Sequence, residues 1–231
     1  MNILAFDTCF GAVSAAVRWR SAEGEWLLRE AYEARTAGHA ERLFPMITEI
    51  MEDAGLAFSS IDRIGVTLGP GTFTGVRVGI AAARAFALAL DRPVVGTTSL
   101  AVMAHRADLL IGRERAGRPL AVAVDARRDM IYFQIFPNHT IGAHDALLVT
   151  PGQAARVIGR QPVLVAGSGA AAVAAAAEGH AEVRLPDLQP HAQSLAIMAP
   201  GLVPVDRVTP IYLREPDAKP QADKALPRML P

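Results

Sequence analysis

The chain has one cysteine, Cys9, in 231 residues. No disulfide can form within it, the usage expected of a reducing compartment. Neither sign of charge is in excess: 23 Lys and Arg face 23 Asp and Glu, for a formal net charge of zero. This balance excludes a broad electrostatic grip on nucleic acid, so any RNA contact needs a local patch or a partner. No basic n-region opens the sequence, and Asp7 arrives too early for a secretory signal. The longest uncharged small-residue run, Pro162 to Ala177, is mostly Ala and Gly and too short for a membrane span. A cytoplasmic protein with no membrane partner is expected. The histidines show no His-x-x-x-His or H-E-x-x-H spacing, so no metal site is expected.

What the sequence does have is a glycine-rich block, Leu68 to Ile80. It follows the strand-like run Ile64 to Leu68 and precedes an apolar, alanine-rich segment ending at Leu90. The pattern reads as strand, tight turn and helix start. Gly69 and Gly71 suit a sharp reversal around Pro70, and Thr72 or Thr74 supplies a capping hydroxyl. Gly75 and Gly79 lie four apart on one helix face, leaving a strip where another backbone can approach. The phosphate motifs do not fit. Gly75 is followed by Val76 rather than Lys-Ser/Thr, and the glycines at 69, 71 and 75 are spaced G-x-G-x-x-x-G. Packing is the favoured role.

Taken in order, Ile3 to Phe6 is a buried strand ending at Asp7-Thr8, and Ala12 to Trp19 and Glu25 to Ala34 continue it as an antiparallel meander. His39 to Ala54 is an amphipathic helix, with Leu43, Phe44, Ile47, Ile50 and Met51 at helical spacing and Gly55 as its stop. The helix from about Thr74 to Leu90 is apolar nearly all round and needs cover on more than one side. Pro93 to Gly96 is a strand, and Thr98-Ser99-Leu100 starts a helix to about Leu110. Gly112 to Pro119 reads as a linker. The opening pattern then recurs: Ala121 to Ala126 is an apolar strand containing Asp125, followed by an alternating strand, Met130 to Phe136. Further elements are expected at Gly152 to Ile158, Val163 to Ala166, an alanine-rich helix to about Glu178, and Pro190 to Ala199. The stretch from Pro204 holds six prolines, with only Pro210 to Arg214 expected to be ordered. The expected division is a first domain over 1–112, a smaller related one over 119–203, and a proline-rich tail over 204–231.

Single residues add little chemistry. Cys9 lacks a pairing histidine and reads as a small buried residue. His39 with Glu41, and His139 with His144, read as surface or cap histidines. Arg77, Arg127 and Arg128 are candidates for RNA phosphate, against a default of solvated arginines; Arg77 at a helix N-terminus is disfavoured by the dipole unless an anion is near. The stripe from Leu43 to Met51 is core by default. The all-apolar second helix, however, leaves more apolar surface than one sheet face hides, so part of it is assigned to a partner.

Several pieces together resemble the bacterial TsaB family, also called YeaZ. They are Ile3 to Thr8, His39 to Pro45, Leu68 to Gly79, Val124 to Arg128 and Pro210 to Arg214. The resemblance implies an α/β, actin/Hsp70/sugar-kinase-like (ASKHA) fold of two related domains, the second reduced. It implies a subunit with no catalytic residues or cofactor of its own, in the machinery that makes threonylcarbamoyladenosine beside the tRNA anticodon. The implied partners are the catalytic homologue TsaD, the ATPase TsaE, tRNA through the complex, and a second copy of the chain; ATP is used by the assembled complex. The implied docking surface lies on the first two helices, on Leu43, Phe44, Ile47, Ile50, Met51, Thr74, Val76, Arg77, Val78 and Ile80, with Gly69, Pro70, Gly71, Gly75 and Gly79 as the structural turn. In kinases of that fold, positions such as Asp7, Thr8 and Asp125 hold metal or phosphate; the alternative is that each Asp caps its own strand-to-turn junction. Gly167-Ser168-Gly169 stands where the pattern has Gly-Asp-Gly, and Thr72 stands in place of a serine. The rival functions are an ATP-dependent kinase of the same fold and a peptidase acting on TsaD.

Overall fold

The computed structural model describes residues 1–137 and 145–214. His139, His144 and the tail beyond Arg214 lie outside the described residues. Two five-stranded mixed sheets organise the rest. The first has the order β3-β2-β1-β4-β5, from β1 (Ile3–Asp7), β2 (Ala12–Arg20), β3 (Trp26–Ala34), β4 (Arg63–Thr67) and β5 (Val94–Thr97). The second has the order β10-β9-β6-β7-β8, from β6 (Leu120–Asp125), β7 (Ile131–Phe136), β8 (Leu147–Val149), β9 (Val163–Ala166) and β10 (Ala181–Val183).

The two sheets share one topology. In the first, β1 pairs antiparallel with β2 and parallel with β4, so Leu4 lies between Val17 and Ile64. In the second, β6 pairs antiparallel with β7 and parallel with β9, placing Ala121 between Ile135 and Val165. Both central strands are continuous apolar runs because both of their faces are covered.

Among the described residues, six helices complete the repeat: α1 (His39–Asp53), α2 (Phe73–Leu90), α3 (Ser99–Ile111), α4 (Pro151–Ile158), α5 (Ala170–Ala176) and α6 (Ala192–Met198). Each half therefore reads strand, strand, strand, helix, strand, helix, strand, helix. Local chemistry sets the helix limits. Thr72 caps α2 by accepting from the Gly75 N–H, and Thr98 caps α3 by accepting from the Ala101 N–H. Thr150 and Gln153 form a reciprocal capping box on α4. α1 ends at Gly55, whose backbone lies in the left-handed region (φ +65°), with Leu56 N–H bonded to Met51 O.

The packing crosses between the two halves of the repeat. α3 belongs in sequence to the first half, yet it lies on β6 and β7. α6 belongs to the second half, yet it lies on β1 and β2. The Ala192 N–H bonds to Ser14 Oγ at 3.0 Å, and the Arg63 guanidinium donates to Ala199 O at 2.8 Å. The two exchanged helices also meet, with Arg106 donating to Gln193 Oε1 at 3.1 Å. The segment after α6 stays on the first half: Val205 N–H bonds to Val94 O beside β5, and Ile211 N–H bonds to Leu68 O.

Gly112 to Pro119 is more than a linker. It forms a short 3-10 turn that buries Arg115, whose guanidinium bonds to Asp108 and to the carbonyls of Arg118 and Phe136. That ties the end of α3 to the end of β7.

Candidate docking face and interlobe cleft

The Leu68 to Ile80 block packs against the residues that follow β1. Thr8 donates its hydroxyl to Gly75 O at 2.6 Å. A Cβ placed on Gly75 would lie 2.0 Å from Thr8 O, which no side chain tolerates. Gly71 and Gly79 approach Cys9 and Thr8 in the same way. Gly69 has φ +106°, and the Gly69–Pro70 peptide is cis. The strip on the helix is thus filled by Thr8, by its carbonyl at Gly75 and by its hydroxyl at Gly79. Thr72, not Thr74, is the cap.

The expected docking residues divide sharply. Leu43, Ile47, Ile50, Met51, Val76 and Ile80 are buried, none more than 4% exposed. Their stripes face the first sheet, and a partner cannot reach them: here the sequence expectation is corrected. Leu43, Ile47, Val76 and Ile80 join β1 and β4 side chains in one core. Phe44, Thr74 and Arg77 are exposed and Val78 half-buried. The outward arc of α2 adds Ala81, Ala85, Ala89 and Leu88, the last 87% exposed. Phe44 stacks on Phe86 of α2 at 5.5 Å between ring centroids, which packs α1 against α2. By length and apolarity α2 could also cross a membrane. Its inner face, however, packs on β4 and Thr8 as a helix of the fold.

Asp7 and Asp125 occupy equivalent positions in the repeat but opposite environments. Asp7 is fully buried. It accepts hydrogen bonds from the Cys9 N–H at 3.1 Å and from the Thr67 hydroxyl. Burial outweighs those bonds and raises its pKa to about 6. Asp125 is exposed and accepts the Arg127 N–H at 2.8 Å, closing its own turn. The two carboxylates do not share a cleft, so the paired-carboxylate arrangement of a kinase is not formed. Thr8 is buried in its bond to Gly75. Among the described residues, no cluster of three His, Cys, Asp or Glu side chains could hold a metal. Cys9 is buried beside Thr67 Oγ1 at 3.2 Å, and burial pushes its thiol well above the usual range. His39 sits against Phe10 O at 3.0 Å.

Between the lobes lies a cleft of about 480 Å³. Residues 70–73, Asp125, Arg127, Tyr132 and residues 211–214 line it, with Phe10. Phe73 stacks on Tyr212 at 5.4 Å, and Phe10 meets Tyr132 at 6.2 Å.

Comparison with known proteins places this arrangement. The family model for TsaD, the tRNA N6-adenosine threonylcarbamoyltransferase, matches residues 33–192. A Mycobacterium tuberculosis protein described as uncharacterized is 35% identical over 228 residues, covering 96% of this chain and 95% of that one. The tRNA threonylcarbamoyladenosine biosynthesis protein TsaB of Haemophilus influenzae is 37% identical over 133 residues, covering 58% of this chain and 52% of that protein. The solved structure of YeaZ from Pseudomonas aeruginosa superposes with a TM-score of 0.76 at 31% identity, covering 91% of this chain and all of that one. The chain belongs to the TsaB/YeaZ family. Its fold is the actin/Hsp70/sugar-kinase-like one, in two related lobes.

Within this TsaB-family chain, the departure at Ser168 has a visible consequence: Ser168 Oγ accepts the backbone N–H of Asp125 at 3.0 Å. A hydroxyl thereby holds the end of β6 where the family pattern has a carboxylate. The sequence reading missed Leu88 of the docking face and Phe10, Phe73, Tyr132 and Tyr212 of the cleft. Leu88 was legible in principle, since it lies seven residues from Ala81 on the face opposite Gly75 and Gly79. The cleft aromatics come from four separate elements, and no local spacing links them.

Proposed function

We infer that this chain serves the biosynthesis of threonylcarbamoyladenosine in tRNA, and we propose that it does so as a non-catalytic scaffold subunit. Family membership and the names of its TsaB relatives support the pathway. The observation that carries the scaffold role is the outward face of α2 beside Phe44, where Ala81, Ala85 and Leu88 lie exposed in one apolar strip. Burying each large apolar side chain in such a face contributes roughly 1.5–3 kcal/mol to association. The partner that fits is the TsaD-like catalytic homologue. It shares this fold and can offer an equivalent helix pair, helix against helix.

In this reading the group transfer takes place on the partner, and the chain needs no cofactor of its own. A TsaE-like ATPase joins the assembly and uses ATP there. tRNA is reached through the complex, in the cytoplasm. Isolated copies can pair through the same face. The test is co-purification with the catalytic homologue, read by light scattering. Leu88→Asp and Phe44→Asp are expected to abolish the complex while the thermal melt stays within a few degrees of wild type. A complex of unchanged mass would overturn the assigned face.

A further inference from the structure

The two sheets have four edges, and among the described residues three of them are defended. β8 and β10 are three residues long, too short to template another strand. β5 is covered by the segment after α6: the Val205 N–H bonds to Val94 O, and Pro204 bridges Val95. β3 is different. It is nine residues long, contains neither proline nor glycine, and keeps one register with β2 along its whole length, without a bulge. No strand lies beyond it among the described residues. The helices that pack on it, α1 and α6, are both centred on its neighbour β2.

The ladder to β2 fixes which backbone groups of β3 are free. At its two ends, the Ser21 N–H bonds to Glu25 O at 2.8 Å and the Arg35 N–H bonds to Gly11 O at 3.0 Å. Antiparallel pairs alternate, so the odd-numbered residues of β3 direct their N–H and C=O groups to β2. The even-numbered ones, Trp26, Leu28, Glu30, Tyr32 and Ala34, turn theirs to the open edge. Arg29 is exposed along that edge, and its guanidinium reaches back to Leu28 O at 3.4 Å. Glu33 accepts from Arg42 and Arg35, yet its side chain stays 42% exposed and open to a further donor.

A long, unblocked edge takes a further strand. A second copy of β3 can supply it, antiparallel about a twofold axis. Charge then selects the register, because like charges directly opposite destabilise a strand pair and opposite charges stabilise it. With the axis at residue 29, 30 or 32, Arg29 faces Arg29, Glu30 faces Glu30, or Arg29 faces Arg35. With the axis at Ala31, Arg29 of each copy faces Glu33 of the other, and two small Ala31 side chains meet at the axis. Leu28 with Ala34, and Glu30 with Tyr32, then exchange both of their backbone bonds, roughly eight in all. We propose that two copies of the chain join through β3, with Ala31 on the twofold axis, and so fuse their first sheets into one. The contact uses none of the α1/α2 docking residues and stands or falls separately from the scaffold role.

The test is light scattering over a dilution series of the full chain carrying Leu88→Asp, so that pairing through α2 does not contribute. A reversible shift from the 24.5 kDa monomer to twice that mass is expected. Adding Arg29→Glu turns both attractions at the axis into repulsions and should raise the dissociation constant roughly tenfold or more. Cross-linking tests the register. At the axis the two Ala31 Cα atoms would lie about 4.5 Å apart, within the span of about 4.4–6.8 Å that a disulfide bridges. The native cysteine, Cys9, is buried, so an introduced thiol reports alone. Under mild oxidant Ala31→Cys should give a covalent dimer, whereas Leu27→Cys, set opposite Arg35 of the second copy, should not. Thermal melting checks each fold. If Ala31→Cys melts low, a mixture of Arg29→Cys and Glu33→Cys chains replaces it, since those positions also face each other. A monomer at every concentration, a dimer indifferent to Arg29→Glu, or equal cross-linking at positions 27 and 31 overturns the proposal.

Discussion

Thr8 and Gly75 hold each other by two atoms at once. The Thr8 hydroxyl donates to Gly75 O, while Thr8 O occupies the space a Gly75 side chain would need. This contact seats the N-terminus of α2 on the end of β1 and sets the angle at which α2 leaves the sheet. Gly75→Ala is expected to cost about 3 kcal/mol or more, because neither backbone can give way cheaply. In a chain of this size that is a fall in Tm of about 6–12 °C. Gly152→Ala is the control: its Cβ would meet nothing within 4 Å, and its melt should be unchanged or slightly raised. Equal melts for the two variants would refute the close-contact account.

Asp7 should make the protein less stable as pH rises. Its folded pKa of about 6 stands above the ordinary value of 3.8, so between those values the native state holds a proton that the unfolded chain has lost. Stability is then highest below pH 4 for this group, and it falls up to about pH 6 and stays low above. Asp7→Asn removes the titration. Its stability relative to wild type should improve from pH 4 to pH 7 by roughly 3 kcal/mol, two pKa units at about 1.4 kcal/mol each. Urea denaturation at both pH values measures this, and a pH-independent difference would show that Asp7 is not strained by its burial.

Arg115 is the third point of leverage. It is 1% exposed and bonds to Asp108 and to the carbonyls of Arg118 and Phe136. Arg115→Ala leaves a carboxylate and two carbonyls short of a partner and is expected to cost about 3–5 kcal/mol. Arg113→Ala, at an exposed position two residues earlier, should be near neutral. Urea denaturation of both variants separates a structural tie from a solvated linker.

The fold was largely legible because its signals are local. α1 and α2 announced themselves by helical spacing, β9 (Val163–Ala166) matched the expected strand residue for residue, and the recurrence of a strand ending in Asp gave the repeat. What failed was whatever depends on the far side of a contact. The Leu43 to Met51 stripe has the same spacing whether it faces a sheet or a partner, and only the three-dimensional arrangement assigns it to the core. Asp7 and Asp125 are equivalent in sequence, but one is buried and bonded to Thr67 while the other faces solvent. Arg115 sits between two glycines, a composition that reads as a linker, and its partners lie on β7 and α3. The Asp108 carboxylate seven residues before it was the one local hint.

The exchange of α3 and α6 between the lobes also bears on how the chain is made. The first sheet is not closed until α6, near residue 195, reaches Ser14, Arg18 and Arg63. Synthesis proceeds at roughly 5–20 residues per second, so β1 and β2 wait on the order of ten seconds for the helix that covers them. During that interval the apolar face of β2 has no cover from α6. The amino-terminal half therefore lacks part of its native cover until the carboxy-terminal half is made, and its completion depends on contacts of high sequence separation.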